Sequence, residues 1–136
     1  MKKICIVLFT LFSISAFAKV KPAAKIDVKP FRVVSYFKYS DKAAGKSHKE
    51  SLHVHPDTVY INHDTIPKAS WKKGEAAMKV VSNPKPTNKM YCPQGMYSLK
   101  VSKNEKKSVT ESGCITSPRF KEIQTAFATL NGLVAK

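Results

Sequence analysis

The sequence is poor in arginine, and this shortage narrows the partners it can recognise. Lysine and arginine together number 24, but only Arg32 and Arg119 are arginines. Arginine supplies the planar fork that reads bases and phosphates through paired hydrogen bonds, whereas lysine is a hydrated point charge. With a net charge of +15, the chain is therefore suited to unspecific attraction towards an anionic surface or an acidic protein partner, and we expect no nucleic-acid binding.

Signatures of catalysis are also missing. The nine acidic residues are scattered, and no pair of carboxylates is placed for acid–base work. The chain has no Gly-x-Ser-x-Gly elbow, and its five glycines form no phosphate loop. We therefore expect a protein that is not an enzyme. A hydrolase remains an alternative, because a Ser-His-Asp triad is defined by geometry that the sequence does not give.

Residues 1–18 have the pattern of a secretory signal peptide. Lys2 and Lys3 precede an apolar run, and Ala16-Phe17-Ala18 fits a cleavage site. The run is too short to span a bilayer, so we expect a periplasmic or secreted protein that is not membrane-spanning after cleavage. Loss of the two lysines would leave a net charge of +13.

The rest of the chain divides into two parts by composition. Residues 19–30 contain four lysines and two prolines with little to bury, which predicts a flexible basic arm. Residues 31–136 predict a single globular α+β domain. Its expected core is an antiparallel β-sheet of about five to seven strands, with a C-terminal helix packed on it and one disulfide.

The predicted disulfide joins Cys92 and Cys114 at the two ends of a β-hairpin. Residues 97–102 alternate between apolar and polar side chains, residues 104–107 form a polar turn, and residues 108–112 return as a second strand. Gly113 breaks the alternation, as a β-bulge would. In an oxidising compartment we expect a crosslink rather than two free thiols, and its loop of about 23 residues would stabilise by roughly 3 kcal/mol.

The C-terminal segment has the clearest helix signal. Ser117 can cap the N-terminus, Pro118 suits the first helical position, and Asn131-Gly132 suits the end. Between and beyond them apolar residues recur at spacings of 3, 4, 3 and 4: Phe120, Ile123, Phe127, Leu130 and Val134. We expect this stripe to pack on the hairpin face, although a dimer seam is an alternative.

Upstream segments are read as short strands and loops. Strands are predicted over residues 31–39, 51–55 and 58–62, with a loop over 41–49 and a turn at His63-Asp64. Residues 71–81 are ambiguous between a strand and a short helix. Within them, Trp71–Met78 is similar to the W-x-K-G-x-x-A stretch of the periplasmic C-type lysozyme inhibitors, which are small exported β-barrels. The resemblance covers eight residues and lacks that family's Ser-Gly-x-x-Tyr element, so no residue role is carried over.

The four histidines fall within one short stretch, His48 to His63. His53 and His55 are expected on one strand face, which can offer two imidazoles to one metal. His63 could add a third ligand, and Asp57 or Asp64 a carboxylate, so zinc or copper is the alternative to a protein without a cofactor. Our leading interpretation is a small exported binding protein with a basic, lysine-rich surface, which could act on its partner as an inhibitor.

Overall fold

The structure is a computed structural model that describes residues 32–87 and 90–136. The predicted signal peptide and basic arm lie outside the described residues. The described chain forms six strands, which are β1 (Val33–Asp41), β2 (Lys46–Val54), β3 (Val59–Ile61), β4 (Asp64–Ile66), β5 (Met96–Lys103) and β6 (Val109–Cys114). Two α-helices accompany them: α1 (Trp71–Ser82) and α2 (Pro118–Asn131).

The strands form one antiparallel sheet in the order β4-β3-β2-β1-β5-β6. The predicted α+β class, antiparallel sheet and C-terminal helix are therefore confirmed. The loop predicted over residues 41–49 is too long, because Lys46 to Lys49 pair with β1. Their polar side chains gave no strand signal, but backbone pairing does not require apolar side chains. Strand β3 covers only Leu52–Val54 of β2, so Lys46–Glu50 have no strand partner on that side among the described residues.

Helix α2 begins and packs as its sequence predicts. The Ser117 hydroxyl accepts a hydrogen bond from the Phe120 backbone N–H at 3.2 Å, and Pro118 follows the cap. The helix buries Phe120, Ile123, Phe127 and Leu130. The Phe127 ring stacks on Phe37 of β1 with centroids 5.3 Å apart, so the stripe contributes to the core of its own sheet. Val134 lies beyond the helix end, half-buried against the same core.

Helix α1 resolves the ambiguity of residues 71–81, and it places Trp71 at a helix start rather than on a strand. The Trp71 indole N–H donates to the Ile66 carbonyl at 3.0 Å. Gly74, Ala77 and Val81 face inward. A Cβ on Gly74 would lie 3.0 Å from a Leu133 methyl and 3.1 Å from a Leu130 methyl, so glycine permits the close approach of α2. The eight residues that resemble a β-barrel inhibitor are thus helical here.

The hairpin of β5 and β6 carries the predicted disulfide. Cys92 and Cys114 are bonded, with their Cα atoms 5.1 Å apart. The bulge predicted at Gly113 is wrong, because pairing is continuous from Met96–Cys114 to Val101–Val109 and sets Gly113 opposite Tyr97. A disulfide is typical of oxidising compartments, so this bond is compatible with a periplasmic or extracellular location. Within residues 32–87 and 90–136, no helix is both long and apolar enough to cross a membrane.

Candidate functional site

Both helices pack on one face of the sheet. Neither of these described helices lies on the opposite face, which we call the open face. Alternation along the strands assigns each side chain to a face. Buried residues such as Phe37, Leu52 and Leu99 belong to the helix-covered face. Tyr36, one residue from Phe37, lies on the open face and is 52% exposed.

No strand position on the open face holds an aspartate or glutamate. The register places these residues there: Val34, Tyr36, Lys38 and Ser40 of β1, Ser47, Lys49, Ser51 and His53 of β2, Tyr60 of β3, Thr65 of β4, Met96, Ser98, Lys100 and Ser102 of β5, and Thr110, Ser112 and Cys114 of β6. The acidic residues of the strands, Asp41, Glu50, Asp64 and Glu111, fall at positions of the opposite parity. The open face is therefore positively charged.

Its lysines are close enough to repel one another. Lys38 of β1 and Lys49 of β2 are direct cross-strand partners, and Lys100 lies opposite Tyr36 on the other side of β1. Like charges directly opposite each other destabilise a sheet. None of the three lysines forms a salt bridge with another described residue. Solvent ions or a bound anion would therefore reduce the repulsion between these lysines.

A hollow of about 740 Å³ lies at the β2–β3 side of the open face. Two edge-to-face ring pairs line it: Tyr36 with His53 at 5.8 Å between centroids, and His55 with Tyr60 at 6.0 Å. Glu50 is at its rim, where its carboxylate accepts a hydrogen bond from the Asn131 amide at 2.8 Å. The hollow therefore combines aromatic surface with cationic and neutral polar groups and with one carboxylate, that of Glu50.

The histidines predicted to bind metal converge only in part. His53 projects from β2, but His55 lies after the end of that strand, where its backbone N–H donates to the Thr58 backbone carbonyl at 2.8 Å. His63 occupies the β3–β4 turn with a φ of 75° and lines the same hollow. His48 lies elsewhere, stacked on Tyr39 at 4.7 Å. Within the described ranges, no three His, Cys, Asp or Glu side chains are grouped to hold a metal ion.

The environment of His53 disfavours its protonated form. Burial lowers the pKa of His53 below its usual value of 6.5, and the nearby positive charges of His55, His63 and Arg32 lower it further. His53 therefore stays neutral near pH 7 in the free protein. A bound anion would oppose this effect and favour its protonation.

The buried ion pair of Glu111 and Arg119 was missed from the sequence. Glu111 is fully buried, and Arg119 reaches both its oxygens, with Nε 2.9 Å from Oε1 and Nη2 3.1 Å from Oε2. The Tyr97 hydroxyl donates to Oε1 at 2.8 Å and the Lys85 backbone N–H donates to Oε2 at 2.7 Å. The sequence offered one weak signal, which is that Glu111 is a charged residue within a strand whose other side chains are mostly small or polar.

This network connects separate elements of the fold. Nη2 of Arg119 also donates to the carbonyls of Val80 and Asn83 at the end of α1, so the side chain links α1, α2 and β6. Burial works to raise the pKa of Glu111, but the hydrogen bonds from Arg119, Lys85 and Tyr97 outweigh it and leave the pKa lowered. Burial and the Glu111 contact raise the pKa of Tyr97. Both oxygens of Glu111 are thus engaged in holding the fold.

No protein-family model, curated protein or solved structure matches the chain. Its function is therefore inferred from the charge and geometry of its own residues.

Proposed function

We propose that the chain is a small exported binding protein without catalytic activity, which holds an anionic partner on its open face. The observation that carries the proposal is the cross-strand pair Lys38–Lys49 on a face where no strand position is an aspartate or glutamate. Unneutralised cations on one side of a sheet create a field that attracts polyanions and weakens as salt screens it. Lys100 extends this field to β5.

Position, rather than total charge, is what the test must isolate. Replacing Lys38, Lys49 and Lys100 together by glutamate reverses the sign of the charge on the open face. Replacing Lys72, Lys73 and Lys121 by glutamate makes the same change in net charge on the two helices, where all three lysines are exposed. The two triple variants therefore form a matched pair.

Binding to poly-L-glutamate, measured by calorimetry at low salt, distinguishes them. We expect the open-face variant to lose at least about tenfold in affinity and the helix variant to lose much less, because screened charges act mainly within about 10 Å. For the native chain, salt of several hundred millimolar should abolish binding. Equal losses in the two variants, or binding that salt does not weaken, would contradict the proposal.

A second candidate function is zinc or copper binding, because His53, His55 and His63 all line one hollow, although the described side chains are not grouped closely enough to hold a metal ion as they stand. Imidazole suits both metals. Calorimetry with Zn²⁺ and Cu²⁺ at neutral pH tests it, and a His53→Ala/His55→Ala variant should lose the binding. Absence of micromolar affinity, or affinity unchanged in that variant, would eliminate this candidate.

A further inference from the structure

The chemistry of the hollow narrows the class of anion. We infer that the open face binds an acidic polysaccharide, with Tyr36 as the ring on which a sugar packs. This inference rests on the proposed function and adds the ligand class and the central contact residue.

The first support is the size of the hollow and its aromatic surface. Its volume of about 740 Å³ falls within the range of small-molecule sites, roughly 300–1,000 Å³. An edge-to-face pair uses at most one face of each ring, so the contact with His53 leaves a Tyr36 face for other contacts. The apolar C–H face of a pyranose can pack on such a π-face, which carries partial negative charge.

The second support is the arrangement of polar groups around Tyr36. Ser51 lies opposite Tyr36 on β2, and Lys100 lies opposite it on β5. Lys38, two residues along β1, lies between Lys49 and Ser98. Small hydroxyl groups therefore alternate with cations around an exposed ring. Hydroxyls can exchange hydrogen bonds with sugar hydroxyls, and lysines can pair with carboxylate or phosphate substituents.

The same face suits a lipid surface poorly. Binding at a membrane interface depends on apolar side chains that enter the headgroup region. The strand positions of the open face hold only two aliphatic side chains, Val34 and Met96, which lie at opposite ends of the antiparallel pair β1–β5. They cannot form one inserting cluster.

Single-stranded nucleic acid is the closest competitor, because bases also stack on exposed aromatic rings. However, no strand position on the open face is an arginine. Arg32, just before β1, has its Nη1 atom 3.3 Å from the Glu105 carboxylate. A face that offers hydroxyls and lysines without an arginine fits an acidic sugar chain better.

The test is calorimetry of the purified protein with an oligogalacturonate, a neutral malto-oligosaccharide of equal length, phosphatidylglycerol vesicles and an oligothymidylate. We expect the acidic oligosaccharide to bind most tightly, and at least about tenfold more tightly than the neutral one. Tyr36→Ala should weaken this binding by at least about tenfold, since central aromatic anchors dominate interfaces. Tyr36→Phe should retain it, because packing needs the ring and not the hydroxyl.

Tyr91→Ala is the matched control, because Tyr91 is 88% exposed in the segment before Cys92 and should not contribute. Circular dichroism and the thermal midpoint check that every variant is folded. Tighter binding to vesicles or oligothymidylate, or unchanged oligogalacturonate binding in Tyr36→Ala, overturns the inference. If the open-face lysine variant nonetheless loses poly-L-glutamate binding, the proposed function is retained and only the assignment of an acidic polysaccharide as the ligand is rejected. If the open-face lysine variant binds poly-L-glutamate and oligogalacturonate as tightly as the native chain, both the proposed function and this inference fail.

Discussion

Gly113 lies directly opposite Tyr97 in the β5–β6 ladder, and a Cβ built on Gly113 would come within 2.7 Å of Tyr97 Cε1. The tyrosine ring cannot swing aside easily, because it is 2% exposed and its hydroxyl is held by Glu111 at 2.8 Å. The glycine therefore makes room for the ring that reaches the buried carboxylate.

We predict that Gly113→Ala lowers the free energy of unfolding by roughly 1–3 kcal/mol, the usual cost of overpacking a core. Chemical denaturation measures it. Gly132→Ala is the control: Gly132 has an ordinary helical φ of −68°, and a Cβ there would meet only backbone oxygens at 3.3 Å or more. A Gly113→Ala variant as stable as the native chain would show that the ring has freedom to move.

Glu111→Gln should be among the most destabilising single changes. It leaves the Arg119 guanidinium, which is only 14% exposed, without its main counter-charge, and breaking a buried pair costs roughly 3–5 kcal/mol. Glu122→Gln is the matched control, because that carboxylate also contacts Arg119 but is 47% exposed. It should cost at most about 1 kcal/mol. Equal costs for the two variants would contradict a dominant role for the buried pair.

Removal of the disulfide tests the constraint on the β5–β6 hairpin. A Cys92→Ser/Cys114→Ser variant should lose roughly 2–5 kcal/mol, the usual effect in a small exported domain. Equilibrium denaturation gives the value. Mass spectrometry after alkylation without reductant gives an independent check on the bond in the purified protein: Cys92 and Cys114 should resist modification.

Ser35 is predicted to tolerate alanine unusually well. Its hydroxyl is fully buried and has no hydrogen-bond partner among the described residues. Leaving a buried polar group unsatisfied costs roughly 1–3 kcal/mol. Ser35→Ala should therefore leave the thermal midpoint unchanged or raise it. Ser102→Ala, which removes a hydroxyl bonded to the Lys106 carbonyl at 3.0 Å, should not raise it. A clear loss of stability in Ser35→Ala would contradict this assignment.

Protonation of His53 is expected to lower the stability of the fold and to strengthen the binding of an anion. Its folded-state pKa is lowered, so as the pH falls below 6.5 the unfolded chain takes up this proton first. The contribution of His53 to stability is therefore complete above pH 6.5 and is lost as the pH falls below it. NMR titration of the imidazole should give a midpoint below 6.5 in the free protein and a higher one with a polyanion bound. A free-state midpoint above 6.5 would contradict the first expectation.

The sequence predicts the fold well where local and tertiary preferences agree. In helix α2 the predicted cap, the proline and the apolar stripe as far as Leu130 all match the structure. Residues 71–81 lack such agreement, because two of the three buried residues of α1, Gly74 and Ala77, are small and give little apolar signal. Packing against α2 decides that element.

The candidate site is harder to predict because it is a property of register. Residues 33–39 carry apolar or aromatic side chains at both parities, so alternation alone does not tell whether Tyr36 or Phe37 is exposed. Only the pairing with β2 and β5 brings Lys38 beside Lys49 and Tyr36 beside Lys100. The spacing of His53 and His63 indicates candidate site residues, whereas nothing in the sequence indicates that the Tyr60 ring lies beside His55.

The short length of β3 has a consequence for the behaviour of the chain at high concentration. Among the residues that the structure describes, no strand pairs with Lys46–Glu50 on the β3 side, so their backbone forms a sheet edge to which another polypeptide could add. Exposed sheet edges promote edge-to-edge aggregation unless charged side chains disfavour it. Lys46 and Lys49 give this edge two cations against the single carboxylate of Glu50, so two copies that meet at this edge carry like net charge, which disfavours their pairing.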